Sequence, residues 1–502
     1  MKLKIKLLNW SAGIPVAMLR KNTANRIGVH PQDRILIKLN GKQKFTTIVD
    51  TVEKGLLREN EVAVTSEIVD VLKLKKSQSV DIELAPIPKS LEFIKKKLNK
   101  KSFSKKEIFI IIRDIVANSL SEAEIALFVT SMYKYGMSLR EIIYLIEAIQ
   151  ETGKELKLKS KYIVDKHSIG GIAGNRTTPI IVSICASAGL MMPKSSSRAI
   201  TSAAGTADVI ETVASVDFSM NDLKKIVKKT NGCMIWGGGL GMVPADSKII
   251  HVEKQLKIDP DAQLLASIMS KKLAVGSKYI VIDIPYGKSA KVTKKKALKL
   301  KSKFEALGKH FKKKLKVILT DGSQPMGNGV GPALELRDVI AVLNPAQQGP
   351  MDLEDKSTAI AGILLELTKK ARKGQGQKMA KDMISSGKAF EKFKEIIQAQ
   401  SGNVKNLETA NLNKIIDSKS KFRKKIFAKK GGKVTEIHNK KINALARVAG
   451  CPKDKYSGLA IDVSLKDKVR KKDRLLTIYA ETPSRLREAV KYYKKIQPIT
   501  IK

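Results

Sequence analysis

The chain is poor in the residues that several specialised chemistries require. It has 3 cysteines in 502 residues, Cys185, Cys233 and Cys451. They stand far apart, with no C-x-x-C pair and no histidine at ligand spacing, so neither a disulfide framework nor a structural zinc site is indicated. Aromatic residues are 5% of the chain, too few for an obvious platform on which bases would stack. No apolar run is long enough to cross a bilayer. The start, Met1 to Leu8, alternates lysine with apolar residues where a leader would build an apolar core, and a reducing cytoplasm is the expected location. Acidic residues are also scarce: 48 Asp and Glu face 95 Lys and Arg, a formal net charge of +47.

That charge would draw anionic ligands, RNA or anionic lipid surfaces toward the chain. Its distribution favours a plainer reading, because lysines are spread over most of the sequence, with local runs only at 294–296, 312–314 and 429–430, as on solvated helix faces. Nucleic acid is therefore not an expected partner. The length allows two to four domains, and 43% hydrophobic content is ordinary for a globular chain.

One stretch carries more chemistry than the rest. Residues 165–178 read Asp-Lys-His-Ser-Ile-Gly-Gly-Ile-Ala-Gly-Asn-Arg-Thr-Thr, and residues 195–208 read Ser-Ser-Ser-Arg-Ala-Ile-Thr-Ser-Ala-Ala-Gly-Thr-Ala-Asp. Gly170, Gly171 and Gly174 let the backbone turn its N–H groups inward. Lys166, Ser168, Thr177, Thr178, Ser196, Ser197, Arg198, Thr201, Ser202 and Thr206 add donors suited to oxyanions. Such a pattern predicts a cradle for phosphate groups on small molecules. Arg198 fits a bidentate role through its planar fork, whereas His167 stays unassigned between general acid, loop support and contact with a base. Gly237 to Gly241 reads as a crossing between lobes.

The texture changes along the chain. Short alternating runs, such as 34–39 before the turn pair Asn40-Gly41, predict a small β-rich region up to Pro86 and Pro88. Ser104/Glu107, Ser121/Glu124 and Ser138/Glu141 then form capping boxes before helical apolar runs, with Ile108, Ile111, Ile112 and Ile115 on one face. Apolar runs at 162–164, 180–184, 279–284 and 315–320 predict strands of an α/β sheet, whose carboxyl-end loops would collect ligands. On that reading residues 166–174 and 287–291 face one cleft. Alternating runs return after about Gly431, with a helix after Ser484.

Residues 196–211 resemble the signature of the thymidine/pyrimidine nucleoside phosphorylase family, and Lys166 to Gly171 resembles its phosphate loop. Residues 244–248, 266–274 and 324–331 follow in the family's order, and 444–485 resembles its C-terminal domain. The β-rich N-terminal extension, and Ile-Thr-Ser-Ala-Ala at 200–204, resemble the archaeal branch acting on nucleoside 5′-monophosphates. The resemblance implies a multidomain α/β protein. A β-rich N-terminal domain spans 1–86, and a core spans 87–428, in which a helical lobe (about 87–155 and 244–275) packs against a large α/β lobe with a mixed sheet. An α+β domain spans 429–502.

The activity implied is phosphorolysis: phosphate attacks C1′ of AMP, and of CMP and UMP, releasing the base and ribose 1,5-bisphosphate, with no cofactor. Lys166, Ser168 and Ser196 would hold the attacking phosphate. Gly171, Ser197, Arg198, Ala199, Ile200, Thr201, Ser202, Thr206, Ser267 and Lys291 would surround the nucleotide, and Asp259 would donate a proton to the base. By residue type alone, Asp259 before Pro260 also reads as a helix N-cap, and Lys291 as one surface lysine among many. Residues 249–254 lack the arginine that nucleoside-cleaving members place before this aspartate. Cleavage of thymidine or pyrimidine nucleosides, and nucleic-acid binding by a retired enzyme scaffold, remain as alternatives. The family implies a homodimer or larger homo-oligomer.

Overall fold

The structure, a computed structural model, describes residues 1–8, 10–12, 14–39, 41, 43–53, 55–199 and 202–502. The expected turn residue Asn40 and the expected nucleotide contacts Ile200 and Thr201 lie outside these. The chain divides into two units, residues 1–152 with 244–266, and residues 153–243 with 267–502.

In the first unit the N-terminal strands close into a six-stranded barrel. Arg34–Leu39 shows why: its even-spaced Ile35, Ile37 and Leu39 are buried while the residues between them are not, which is the period of a strand lining a barrel interior. Closure leaves no unpaired strand edge. The helices Lys105–Val116, Glu122–Tyr135 and Leu139–Glu151 follow, each opened by both halves of the expected capping box. Ile108, Ile111, Ile112 and Ile115 are fully buried, as their spacing predicts. Arg34 of the barrel donates to Ser119 O (3.0 Å) and pairs with Glu124. Helix Pro244–Leu256 joins this bundle, its Lys248 Nζ donating to the last carbonyls of helix Lys105–Val116, at Ile115 (2.9 Å) and Val116 (2.8 Å). Those carbonyls have no partner within their own helix.

The second unit holds the sheet. Strands Lys314–Asp321, Tyr279–Tyr286 and Val164–Ser168 lie side by side in that order, all parallel. A single parallel bridge, Ile163 to Met191, leads on to the parallel pair Met192–Ser196 and Gly232–Trp236. Where a mixed sheet was expected, these strands pair only in parallel. Antiparallel pairing begins at Gly329–Val330, which joins the C-terminal strands Gly458–Ile461, Arg474–Ala480 and Phe422–Phe427. Residues 180–184, expected as a strand, belong instead to helix Thr177–Ser187, which is buried from Thr177 to Ala186. A run apolar on every side carries no period to separate the two, and burial all round suits either. Helix Asn439–Ala449 packs its Ile442, Leu445 and Ala446 into the C-terminal core together with Ala173 and Ala203 of the two signature stretches. Among the described residues no helix is long and apolar enough to cross a membrane.

Candidate functional site

The order of the strands locates the site. From Val164–Ser168 the chain moves to Met192–Ser196 on one side, while Tyr279–Tyr286 later takes the other side. This is a topological switch point, where a crevice opens at the carboxyl ends of parallel strands. Both glycine-containing loops leave from that point. A Cβ on Gly171 (φ +93°) would fall 2.7 Å from Lys291 Cβ and 2.8 Å from Lys291 N, so the two loops touch, and only glycine permits the approach. Gly174 (φ +68°) is likewise pressed against the carbonyl of Met326. Gly171 and Lys291, far apart in sequence, are thus brought together.

Beneath the loops lies a cluster of buried charge. Lys272 Nζ donates to Asp165 Oδ2 at 2.8 Å, and Lys194 Nζ lies 3.4 Å from Asp165 Oδ1. Lys166 donates to Thr177 Oγ1 at 2.7 Å, and no carboxylate comes within ion-pair distance of it among the described residues. All three lysines are buried, and Asp165 is the carboxylate that Lys194 and Lys272 share. Burial pulls the Lys166 ammonium well below its ordinary value; Asp283 works against this, and Lys194, Lys356 and Arg176 add to it. Asp283, on the neighbouring strand, is occupied by Lys356 at 2.9 Å and by the Thr320 hydroxyl at 2.6 Å. Half-buried His167 is held well below the usual imidazole range, first by burial and then by Lys272, Lys194, Lys271 and Lys166. It is therefore neutral at physiological pH.

The signature loop is held by its own polar contacts. Asp208 Oδ2 accepts from the N–H groups of Ala199 and Gly205, both at 2.7 Å. Arg176 reaches across from the glycine loop to Thr206 Oγ1 (2.9 Å), Ala204 O (2.7 Å) and Glu335 Oε2 (2.7 Å). Arg198 lies over the Trp236 ring with its two terminal nitrogens on Glu211, at 2.6 and 2.7 Å. Its fork, expected to face a phosphate, is bidentate to a carboxylate here, which Lys455 also contacts at 3.3 Å. Ser168 accepts from Asn175 (3.2 Å), Ser196 donates to Ile235 O (3.2 Å) and Ser202 to Ala204 O (2.9 Å), while Ser197 is exposed. Ser267 is buried and accepts from Lys271 at 2.7 Å.

Asp259 belongs to the first unit, exposed in the connection between helices Pro244–Leu256 and Asp261–Ala274. The Pro260 carbonyl accepts the helical bond from Leu264 N, so Asp259 stands one residue before the N-cap position. Sequence reasoning gave no role to Asp165, Arg176, Lys194, Lys272 or Glu211. The available signals were a charged residue inside a strand, at Asp165 and Lys194, and the Lys271-Lys272 pair, of which helical geometry buries one fully.

Comparison with known proteins agrees with this architecture. Residues 160–390 match the glycosyl transferase family a/b domain, and residues 91–153 match the helical bundle domain of the same family. Anthranilate phosphoribosyltransferase from Thermus thermophilus shares the fold at 16% identity, with a TM-score of 0.51 over 62% of this chain and 99% of that one. The protein is a glycosyl transferase of the class that joins a helical bundle to an α/β domain. AMP phosphorylase from Thermococcus kodakarensis is 42% identical, over 100% of this chain and 98% of its own. Those from Pyrococcus furiosus (40%; 100% and 98%) and Methanococcus vannielii (38%; 99% and 97%) are similar over nearly their whole lengths. The chain belongs to the AMP phosphorylase family.

Proposed function

We propose that the protein catalyses phosphorolysis of AMP, and of CMP and UMP, giving the free base and ribose 1,5-bisphosphate. A phosphate oxygen bonds to C1′ while the bond from C1′ to the base nitrogen breaks. The base leaves with the electron pair and takes up a proton. The ribose gains positive charge on the way, so the catalyst must hold an anionic nucleophile close and protonate the leaving base. The observation that carries this reading is the set of three buried lysines at the switch point, Lys194 and Lys272 on the single carboxylate of Asp165 and Lys166 on the Thr177 hydroxyl. A phosphate dianion supplies the charge this cluster lacks.

On this reading Lys166, Ser168 and Ser196 bind the attacking phosphate. Gly171, Ser197 to Ser202, Thr206, Ser267 and Lys291 enclose the nucleotide, and Asp259 protonates the base once bound substrate buries it. The working form is a cytoplasmic homodimer or larger homo-oligomer, with domain limits near residues 86 and 428. Release of base from AMP, CMP, UMP and thymidine, each with and without phosphate, tests the reading. Adenine should form from AMP only when phosphate is present. No release, or thymidine turned over faster than AMP, would overturn it, the second outcome in favour of a nucleoside phosphorylase. Salt-sensitive RNA binding without any phosphorolysis would favour the retired scaffold.

A further inference from the structure

Helix Asn439–Ala449 of the C-terminal region begins against the site rather than away from it. Asn439 is fully buried, and its side chain serves three loops. Its Oδ1 accepts from Ala173 N in the glycine loop at 3.0 Å. Its Nδ2 donates to Ser289 Oγ, two residues before Lys291, and to Gly322 O at the end of the adjacent strand, both at 3.1 Å. The backbone N–H of Asn439, which no carbonyl within the helix can satisfy, donates to the same Ser289 hydroxyl at 3.2 Å. One turn later and on the same face, Asn443 Oδ1 accepts from Ala203 N in the signature loop at 2.9 Å. Ala173 and Ala203 are buried, so without these acceptors their N–H groups would be left without partners in an apolar setting.

We propose that Asn439 and Asn443 are positioning residues for the reaction, holding the glycine loop, the Lys291 loop and the signature loop in register from outside the α/β lobe. The helix thereby makes the C-terminal region part of the site's machinery, without placing any of its groups on substrate. The three loops leave different strands, and the regular strand ladders end before each of them. A single amide with an acceptor and two donors is chemically suited to tie such loops together, because the carbonyl and the NH2 group each address a different one. Asn443 touches only the signature loop, so the two residues separate the two substrates. Asn439 acts on both the phosphate loop and the nucleotide loop; Asn443 acts on the nucleotide side.

The proposal rests on the phosphorolysis reading, and its test separates the two. Asn443→Asp keeps the acceptor and should leave the kinetics near those of the unaltered protein. Asn443→Leu removes it and should raise KM for AMP about tenfold, the effect of one lost hydrogen bond, with KM for phosphate little changed. Asn439→Asp keeps the acceptor but loses both amide donors, and should raise KM for both substrates. A fall in Tm without any change in KM, or equal impairment by Asn443→Asp and Asn443→Leu, would overturn the proposal. If Asn439→Asp does not fold, the Asn443 pair decides alone. If the unaltered protein fails to turn over AMP, the phosphorolysis reading falls, and inorganic phosphate alone becomes the probe. A phosphate-induced rise in Tm that Asn439→Asp has lost then supports the brace, and an equal rise in both proteins, or none in either, sinks it.

Discussion

At the scale of single residues, the site is defined by which charges have partners. Arg198 is held end-on by Glu211, lies 3.6 Å from Asp208 and is stacked on Trp236, a geometry that fixes the plane of the guanidinium. Arg198→Ala should raise KM for AMP more than KM for phosphate, and Glu211→Gln should shift the same constant in the same direction by a smaller factor; steady-state kinetics with each substrate varied would show both. His167 supplies a pH test. It is kept neutral in the folded protein by burial and four lysines, whereas in the unfolded chain it protonates below about pH 6.5. The unfolded state therefore binds more protons below that pH, and stability falls as pH drops through and beneath 6.5. Tm measured from pH 5 to 7.5 should show that slope reduced in His167→Gln; identical slopes would refute the assignment. The glycine loop that carries Lys166 and Gly171 was legible as a motif because its pattern is local. Asp165, Lys194 and Lys272 were not, since three unremarkable residues on two strands and a helix become a site only through strand order.

Elements show where local rules suffice and where they fail. The capping boxes at Ser104, Ser121 and Ser138 could be read directly, because the signal lies within four residues and the helix follows from it. Their energetic weights were not legible. Glu141 completes its box and also accepts from buried Lys97 Nζ (2.8 Å) and Phe103 N (2.9 Å), and despite the opposing effect of burial these bonds hold its carboxyl below the ordinary value. Ser121→Ala should cost about 1 kcal/mol, the usual worth of a cap. Glu141→Ala should cost about 3 kcal/mol or more, because Lys97 is left charged and buried without a partner. Urea unfolding midpoints would compare the two. The misread strand at residues 180–184 marks the opposite limit: Ile180, Ile181, Val182 and Ile184 are all fully buried in a helix, and β-branched residues in an unbroken apolar run pull a sequence reading toward strand.

At the scale of the whole molecule, the net charge of +47 adds a long-range field to the contacts within the site. Opposite charge speeds encounter with a dianionic nucleotide, and salt weakens that effect over a screening length of about 10 Å at 0.1 M. The value of kcat/KM for AMP should therefore fall steeply as ionic strength rises from about 0.02 to 0.5 M, a range that shortens the screening length several-fold. Activity on an uncharged nucleoside, where measurable, should fall less, and parallel declines would assign the effect to the site alone. The order of the regions along the chain, from barrel to helices to parallel sheet to C-terminal α+β region, was readable from shifts in periodicity. The C-terminal helix's hold on the glycine loop was not, because Asn439 and Ala173 are 266 positions apart and nothing in either neighbourhood announces the other.

Lys166, buried with no ion-pair partner among the described residues, bears on how long the protein lasts as well as on how it works. A buried lysine whose charged form burial disfavours is a local frustration that folding tolerates, and on the proposed assignment the dianionic co-substrate relieves it each time it binds. Inorganic phosphate then acts as a folding chaperone in the thermodynamic sense, since a ligand that binds only the native state raises its population. An organism short of phosphate would hold this catalyst in its most perishable form, so that supply of the nucleophile would govern the enzyme's abundance as well as its rate.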